Sequence, residues 1–256
     1  MDSTMKKIYF ASDFHFGVPD HASSLSRERL FIKWLEIVKA DASEIFLMGD
    51  LFDFWFEYNT VIPKGFVRLL GKLAELTDSG IQIHLFRGNH DIWAFDYLNK
   101  ELGIQLHRAP VVREFSGKKF FLAHGDGLGP GDHGYKFLKA VFESPMNQWL
   151  FRWLHPDIGT RMGLFFSRRS RISNDAKAGK KENSLQLEGE RLFQFCKEYV
   201  NKHSEINYFI LGHRHLPYDA KVNENSRFIN LGDWITHFSY AEYDGKELNL
   251  KEFKPY

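Results

Sequence analysis

The chain has 256 residues, of which 43% are hydrophobic and 26% charged, enough for one large domain or for one domain with a sizeable insertion. A net charge of +1 excludes a strong overall attraction to nucleic acid, and a single cysteine, Cys196, excludes an intramolecular disulfide. No apolar run is long enough to span a membrane and no signal-peptide pattern is found, so we expect a cytoplasmic protein.

The first half of the chain alternates between strand and helix patterns. Short apolar runs at 7–11, 44–48 and 81–86 predict strands, and apolar residues near helical spacing at 23–39 and 63–77 predict helices. This order predicts an α/β fold, in which helices cover the faces of a sheet.

The second half is richer in strands. Runs at 111–115, 120–123, 208–211, 228–231 and 239–248 predict strands, the last of them turning at Asp244-Gly245. Residues 129–203 hold no convincing strand and many helix formers. We therefore predict a core of residues 1–128 and 204–256 that carries a helical insertion, or cap, at 129–203, with a polar loop at 173–184.

Five of the predicted strands end in side chains that bind metal ions. The clusters are Asp13 with His15, Asp50 with Asp53, Asn89 with His90 and Asp91, His124 with Asp126, and His213 with His215. Ligands of α/β sheets bind where strands end, so the clusters could converge on one site. Glycines flank four of them and allow the backbone to approach a ligand closely: Gly49, Gly88, Gly125 and Gly212.

The spacing and chemistry of these residues predict a metal centre. Residues i and i+2 of an extended segment point to the same side, so Asp13 can chelate with His15, and His213 with His215. Asp50 stands alone at a strand end and can bridge two cations. Imidazole, carboxylate and amide ligands suit Mn, Fe or Zn better than Mg. Taken singly, each cluster could be a turn-capping Asp or a satisfied histidine, but five in one order favour a metal centre.

These motifs resemble those of the calcineurin-like metallophosphoesterases, over residues 8–215. The resemblance implies a four-layer α/β/β/α sandwich with two divalent metal ions at one edge. It assigns one ion to Asp13, His15, Asp50 and His215, and the other to Asp50, Asn89, His124 and His213. Two such ions clamp phosphoryl oxygens and lower the pKa of water.

The same resemblance gives His90 a catalytic role. His90 would stabilise the developing charge or protonate the leaving oxygen, and Asp91 would orient His90 through a hydrogen bond. The alternative is that His90 is a structural partner of its turn.

Residues 12–17, 51–56 and 124–132, with the insertion after them, resemble a narrower family, the diphosphatases that act on UDP-2,3-diacylglucosamine in lipid A biosynthesis of Gram-negative bacteria. This implies attack on the α-phosphorus, release of UMP and an acylated sugar 1-phosphate, and Mn as the usual metal, with Fe or Zn as alternatives. Some members of this family have Arg where the chain has His90. That residue therefore points to the wider family and does not select this substrate.

The insertion suits such a substrate. Its aromatic residues between Phe137 and Phe166 could line a cleft for acyl chains, and its basic residues could bind the diphosphate. The predicted substrate-binding residues are Arg168, Arg169, Arg171, Lys177, Asp132 and Tyr135. A basic, aromatic surface would also favour peripheral contact with the cytoplasmic face of the inner membrane. An ordinary aromatic core and a solvated basic face remain alternatives.

The sequence leaves other functions open. A phosphoesterase of the same fold could act on nucleotides, cyclic nucleotides or phosphoproteins, and a scaffold could keep the fold without catalysis. A small polar substrate does not need an apolar cleft, and a scaffold does not need a full ligand set. A nuclease is disfavoured by the net charge, and we expect neither a nucleic-acid partner nor an obligate protein partner.

Overall fold

The computed structural model describes residues 6–129, 131, 133–179 and 189–254, with the backbone alone at 170–179. Two β-sheets lie at its centre. The strands are β1 (Lys7–Ala11), β2 (Ala42–Leu47), β3 (Gln82–Phe86), β4 (Gln105–His107), β5 (Val111–Phe115), β6 (Lys118–Ala123), β7 (Ile206–Leu211), β8 (Pro217–Lys221), β9 (Arg227–Leu231), β10 (Ser239–Tyr243) and β11 (Leu248–Glu252). The helices are α1 (His21–Val38), α2 (Val67–Asp78), α3 (Tyr97–Leu102), α4 (His133–Glu143), α5 (Pro145–Arg152), α6 (Pro156–Gly179) and α7 (Arg191–Val200).

Each sheet is mixed, with parallel strands at its centre. The first sheet has the order β11-β10-β1-β2-β3-β4 and the second has the order β5-β6-β7-β9-β8. Strands β1 to β4 run parallel, as do β6, β7 and β9. Helices α1, α2 and α3 connect the parallel strands of the first sheet. The carboxyl ends of parallel neighbours lie at one edge, so the loops that follow them can form a common site.

The helices and sheets form four layers that pack on one another through apolar side chains. Trp34 of α1 and Leu73 of α2 pack on one face of the first sheet. Phe10 and Phe46, on its other face, pack against Phe120 of the second sheet. The outer face of the second sheet is covered by α7. The predicted four-layer α/β/β/α sandwich is therefore confirmed. This arrangement gives the strands, whose two faces are both buried, apolar partners on each side.

The predicted insertion contains α4, α5, α6 and α7, and they pack differently. We call α4, α5 and α6 the cap helices. Phe142 of α4 and Phe151 of α5 contact Trp93 in the loop after β3. In contrast, α7 buries Leu192 and Cys196 against the second sheet. We therefore group α7 with the core layers, while the division of the chain into domains stays a prediction.

Short elements and one loop differ from what the sequence predicts. The pattern gives no signal for α3, β4 or β8, and the predicted loop at 173–184 begins inside α6, which extends to Gly179; residues 180–184 lie outside the described residues. No helix in the described part of the chain combines the length and apolarity needed to cross a membrane.

Candidate metal centre

Hydrogen bonds tie together the loops at the carboxyl ends of five strands. The backbone N–H of His213, after β7, donates to Asp13 Oδ2, after β1, at 2.8 Å. The backbone N–H of His90 donates to Asp50 Oδ1 at 2.9 Å. His124 Nδ1, after β6, donates to the Met48 carbonyl oxygen at 2.8 Å. The five predicted clusters therefore meet at one edge shared by both sheets.

The backbone brings the ligands together in a way that the sequence does not predict. Asp13, His15, Asp50 and His213 have φ values of 57°, 45°, 52° and 67°, in the left-handed region. The expected extended geometry for Asp13 with His15, and for His213 with His215, is therefore wrong. The side chains of Asp13 and His15 still approach, with His15 Nε2 3.9 Å from Asp13 Oδ1. Such non-glycine conformations cost roughly 1–3 kcal/mol each and tend to occur at functional sites.

Asp50 occupies the centre of the cluster. Its Oδ2 lies 3.6 Å from His15 Nε2 and 3.3 Å from His124 Nε2. His215 Nε2 lies 3.3 Å from His15 Nε2 and 3.4 Å from Asp13 Oδ1. One carboxylate oxygen thus lies between two imidazole nitrogens, the position that the resemblance gives to a bridging ligand.

Ligand atoms fall into compact groups whose members lie within 4.8 Å of one another: Asp13 with His15 and His215, Asp13 with Asp50 and His124, and His15 with Asp53 and His90. The first group is part of one predicted ligand set, whereas the second combines Asp13 of that set with Asp50, which both sets share, and His124 of the other set. Of the other predicted ligands, His213 has its ring 5.3 Å from that of His124, and Asn89 precedes His90 in its loop.

Several buried ligand atoms lack the hydrogen bonds that such atoms normally make. Among the described residues, Asp13 Oδ1, Asn89 Oδ1 and His124 Nε2 are buried without a hydrogen-bond partner. An unpartnered buried polar atom costs free energy unless an ion or water completes it. A carboxylate, an amide and imidazoles whose Nε2 atoms face the cluster fit a divalent metal ion of the Mn, Fe or Zn type.

The charges in the cluster oppose the effect of burial. Burial alone would raise the pKa of Asp50, but the neighbouring His124 holds this pKa well below its usual range. Burial alone would lower the pKa of His124, but the Asp50 charge raises it to about 10. Burial lowers the pKa of His15, and burial with the His124 charge lowers the pKa of His213 to about 4. His15 and His213 are thus neutral at pH 7, as metal ligation requires.

Two of the flanking glycines are required by close approach. A Cβ at Gly49, which has φ +105°, would overlap the His124 ring, and a Cβ at Gly88 would overlap the Asp50 carboxylate. Any larger residue at either position would displace a predicted ligand.

The structure corrects the expected partner of His90. Asp91 accepts hydrogen bonds from the backbone N–H groups of Leu51 and Gly88, each at 2.7 Å. It therefore joins the loops after β2 and β3. His90 Nδ1 instead lies 3.0 Å from the Asp53 carbonyl oxygen and 3.0 Å from Ser167 Oγ. The carbonyl can only accept, so Nδ1 carries the hydrogen and cannot bind a metal ion.

Two further acidic residues contact the predicted ligands. Asp53 Oδ1 lies 3.3 Å from His15 Nδ1, and Asp233 Oδ2 lies 3.7 Å from His215 Nδ1. Asp233 also accepts hydrogen bonds from the backbone N–H groups of residues 235–237. Sequence reasoning missed Asp233, although Gly232-Asp233 after β9 repeats the pattern of a strand followed by Gly-Asp.

The structure describes the side chains of three of the six predicted substrate-binding residues, Arg168, Arg169 and Tyr135. Arg168 and Arg169 are exposed on α6. Tyr135 of α4 donates a hydrogen bond to Asp126 Oδ2 at 2.6 Å, and Lys139 of α4 lies 2.6 Å from the same oxygen. Tyr135 thus anchors the cap to the loop after β6. Asp132 lies outside the described residues, as do the side chains of Arg171 and Lys177.

Comparison with known proteins gives one family and several relatives. Residues 6–217 match the family model of the calcineurin-like phosphoesterases. A protein of Porphyromonas gingivalis named UDP-2,3-diacylglucosamine hydrolase is 40% identical over 97% of the chain and 98% of its own length. Proteins of the same name from Aliivibrio fischeri and Tolumonas auensis are each 28% identical over 96% of the chain, covering 99% and 96% of their own lengths.

Proposed function

The chain belongs to the calcineurin-like phosphoesterase family, and we propose on that premise that it hydrolyses the pyrophosphate bond of UDP-2,3-diacylglucosamine. The products are UMP and 2,3-diacylglucosamine 1-phosphate. The substrate is supported above all by the likeness, from end to end, to relatives named for this activity. The reaction class is supported by the position of Asp50 Oδ2 between two imidazole nitrogens.

Two divalent metal ions would be held by the predicted ligands. Asp13, His15, Asp50 and His215 would bind one, and Asp50, Asn89, His124 and His213 the other. Bound there, the ions supply Lewis acidity toward phosphoryl oxygens and toward water. The mixture of imidazole, carboxylate and amide ligands suits Mn, Fe or Zn, and we propose Mn as the working metal because it is the usual metal of the diphosphatases that the chain resembles.

The side chains of the chain itself bind and orient the reacting groups. His90 donates through Nδ1 to the Asp53 carbonyl, which leaves Nε2 as the ring nitrogen available to a phosphate oxygen. Because Nδ1 already carries a hydrogen, Nε2 can donate to that oxygen only in the imidazolium form of His90, and such a donor stabilises negative charge as the bond to the sugar 1-phosphate breaks. Asp91 supports this geometry because it fixes the loops that carry Asp50 and His90.

The cap would bind the acyl chains. Phe142 and Phe151 pack on the core. Other large apolar side chains of the cap helices remain exposed, including Phe137, Trp149, Phe165 and Phe166, as does Trp153, which follows α5. Exposed apolar surface on this scale marks a binding surface for a ligand, protein or membrane. Together with Arg168 and Arg169, it supports peripheral contact with the anionic cytoplasmic leaflet of the inner membrane.

UMP release from UDP-2,3-diacylglucosamine, after metal removal and with or without added Mn, tests the activity. A chromogenic phosphodiester serves as the comparison substrate. Fast Mn-dependent UMP release with slow cleavage of the small ester supports the proposal. Cleavage of the small ester alone would support metal-dependent phosphoester hydrolysis and would refute the proposal that UDP-2,3-diacylglucosamine is the substrate. Sedimentation with anionic and with neutral vesicles tests the membrane contact, and equal recovery in the supernatant would refute it.

A further inference from the structure

Ser167 is the one residue of α6 between 164 and 169 that points into the protein. It is 8% exposed, whereas Leu164, Phe165, Phe166, Arg168 and Arg169 are all exposed. A buried hydroxyl needs hydrogen-bond partners, and those of Ser167 lie in the loops after β2 and β3. The hydroxyl therefore links a cap helix to the metal centre.

The hydrogen bonds of Ser167 have defined directions. Ser167 Oγ donates its one hydrogen to Asp53 Oδ2 at 2.6 Å. Ser167 Oγ also lies 3.0 Å from His90 Nδ1 and accepts the hydrogen bond that Nδ1 donates. The Asp53 carbonyl oxygen is a second acceptor for the same N–H group. The Nδ1 atom of His90 thus contacts both a backbone carbonyl of the core and a hydroxyl of the cap.

Two glycines bring α6 close enough for this contact. Gly159 and Gly163 precede Ser167 at intervals of four residues, so all three share one face of the helix. A Cβ at Gly159 would overlap the Tyr58 hydroxyl, and a Cβ at Gly163 would overlap the Phe54 ring. Phe54 follows Asp53 directly, so the close packing of α6 on this segment sets the distance between Ser167 and the metal centre.

We propose that Ser167 is a positioning residue for His90, so that α6 completes the catalytic site as well as covering the substrate. This inference rests on the proposed function, because it assigns Ser167 to the reaction in which His90 acts. The hydroxyl fixes the ring plane of His90 and directs Nε2 toward the substrate phosphate. In this arrangement a displaced cap weakens catalysis even where substrate still binds.

A double-mutant cycle between Ser167 and His90 tests the proposal with Mn-loaded full-length protein. Ser167→Ala lowers kcat about 10–100-fold, the usual effect of losing a residue that orients an active-site group, and changes KM less than about twofold. In a His90→Ala background, Ser167→Ala changes kcat less than about twofold, because its target is gone. Ser167→Thr, which keeps the hydroxyl, recovers most of the activity.

Gly163→Ala tests the same contact without altering a polar group. It shifts α6 away from Phe54 and lowers kcat, as Ser167→Ala does. Gly71→Ala, at an exposed glycine of α2 with open space around it, leaves kcat unchanged. Thermal unfolding and metal content are measured for every variant. A variant that fails to fold is replaced by the other member of the Ser167 and Gly163 pair.

Three results would overturn the proposal: equal losses from Ser167→Ala with and without His90, no loss in the wild-type background, or a rise in KM with kcat unchanged. The cycle is also measured with the chromogenic phosphodiester. If the wild-type protein releases no UMP but cleaves this ester, the proposed substrate is wrong. The cycle measured with the ester then still tests the coupling between Ser167 and His90.

Discussion

His124 Nδ1 donates a hydrogen bond to the carbonyl oxygen of Met48 at 2.8 Å, and both residues are buried. A carbonyl oxygen only accepts, so this contact fixes the hydrogen on Nδ1 and leaves Nε2 to face Asp50 Oδ2, 3.3 Å away. The Asp50 charge also raises the pKa of His124 to about 10 against the effect of burial. In the metal-free protein, His124 is therefore protonated on both nitrogens at neutral pH.

Metal binding should therefore release a proton. A metal ion must displace the Nε2 hydrogen, so we expect Mn affinity to rise roughly tenfold per pH unit between pH 6.5 and 8.5. Titration calorimetry in buffers of different ionisation enthalpy measures the number of protons released. His124→Gln, which cannot hold this proton, serves as the control. Affinity that stays constant over this range would contradict the assignment of His124 as a ligand.

The same pair predicts how the stability of the metal-free protein depends on pH. The pKa of His124 is raised on folding, so its contribution is complete below about pH 6.5 and is lost as the pH rises toward 10. The pKa of Asp50 is lowered, so its contribution is present above about pH 4 and is lost in acid. The charged His124 and Asp50 side chains therefore stabilise the metal-free fold most between about pH 4 and pH 6.5.

Thermal unfolding in a chelator tests this dependence. We expect Tm to fall by roughly 3–10 °C between pH 6 and pH 9.5. His124→Gln should flatten that fall, since the variant lacks the titrating group. An equally steep fall in the variant would assign the pH dependence to other residues.

The order of the long elements follows from the sequence, because apolar residues at a spacing near two or near 3.6 must face a core. The metal ligands were predicted for a similar reason, since each follows a strand. The left-handed φ values at Asp13 and Asp50 could not be predicted, because nothing local to an Asp demands them. They persist because contacts from other loops hold them.

Ser167 shows why part of the site is hidden from sequence reasoning. It is separated from Asp53 by 114 residues, and its neighbours in the chain are exposed. The packing of α6 on Phe54 and Tyr58 brings the two together. The spacing of Gly159, Gly163 and Ser167 was the available signal, since small residues four apart permit close helix packing.

Arg168 and Arg169 of α6 should contribute to binding of the lipid substrate. Replacing Arg168 and Arg169 by Ala should raise KM for UDP-2,3-diacylglucosamine about tenfold or more, because charge-assisted contacts to the diphosphate are lost. KM for a small phosphodiester should change less than about twofold. Arg161→Ala, at an exposed position nearer the start of α6, is the matched control. Equal effects on both substrates would contradict a role for these arginines in binding the lipid headgroup.

Tyr135 should anchor α4 through its hydrogen bond to Asp126. Tyr135→Phe removes a 2.6 Å hydrogen bond to a buried carboxylate, so we expect a loss of about 1.5–3 kcal/mol in the free energy of unfolding. Tyr58→Phe is the matched control, because the Tyr58 hydroxyl is buried without a hydrogen-bond partner among the described residues. That change should be neutral or stabilising. Urea denaturation compares them, and equal losses would show that Tyr135 contributes only its ring.

The central claim is hydrolysis of UDP-2,3-diacylglucosamine by attack on its α-phosphorus at the centre built around Asp50. The most direct measurement is turnover of this substrate in ¹⁸O-labelled water with Mn, followed by mass spectrometry of both products, for the wild-type protein and Asp50→Asn. We predict one ¹⁸O atom in UMP and none in the sugar 1-phosphate, with turnover lost in a folded Asp50→Asn variant. Label in the sugar 1-phosphate, or near-normal turnover by Asp50→Asn, would contradict the claim.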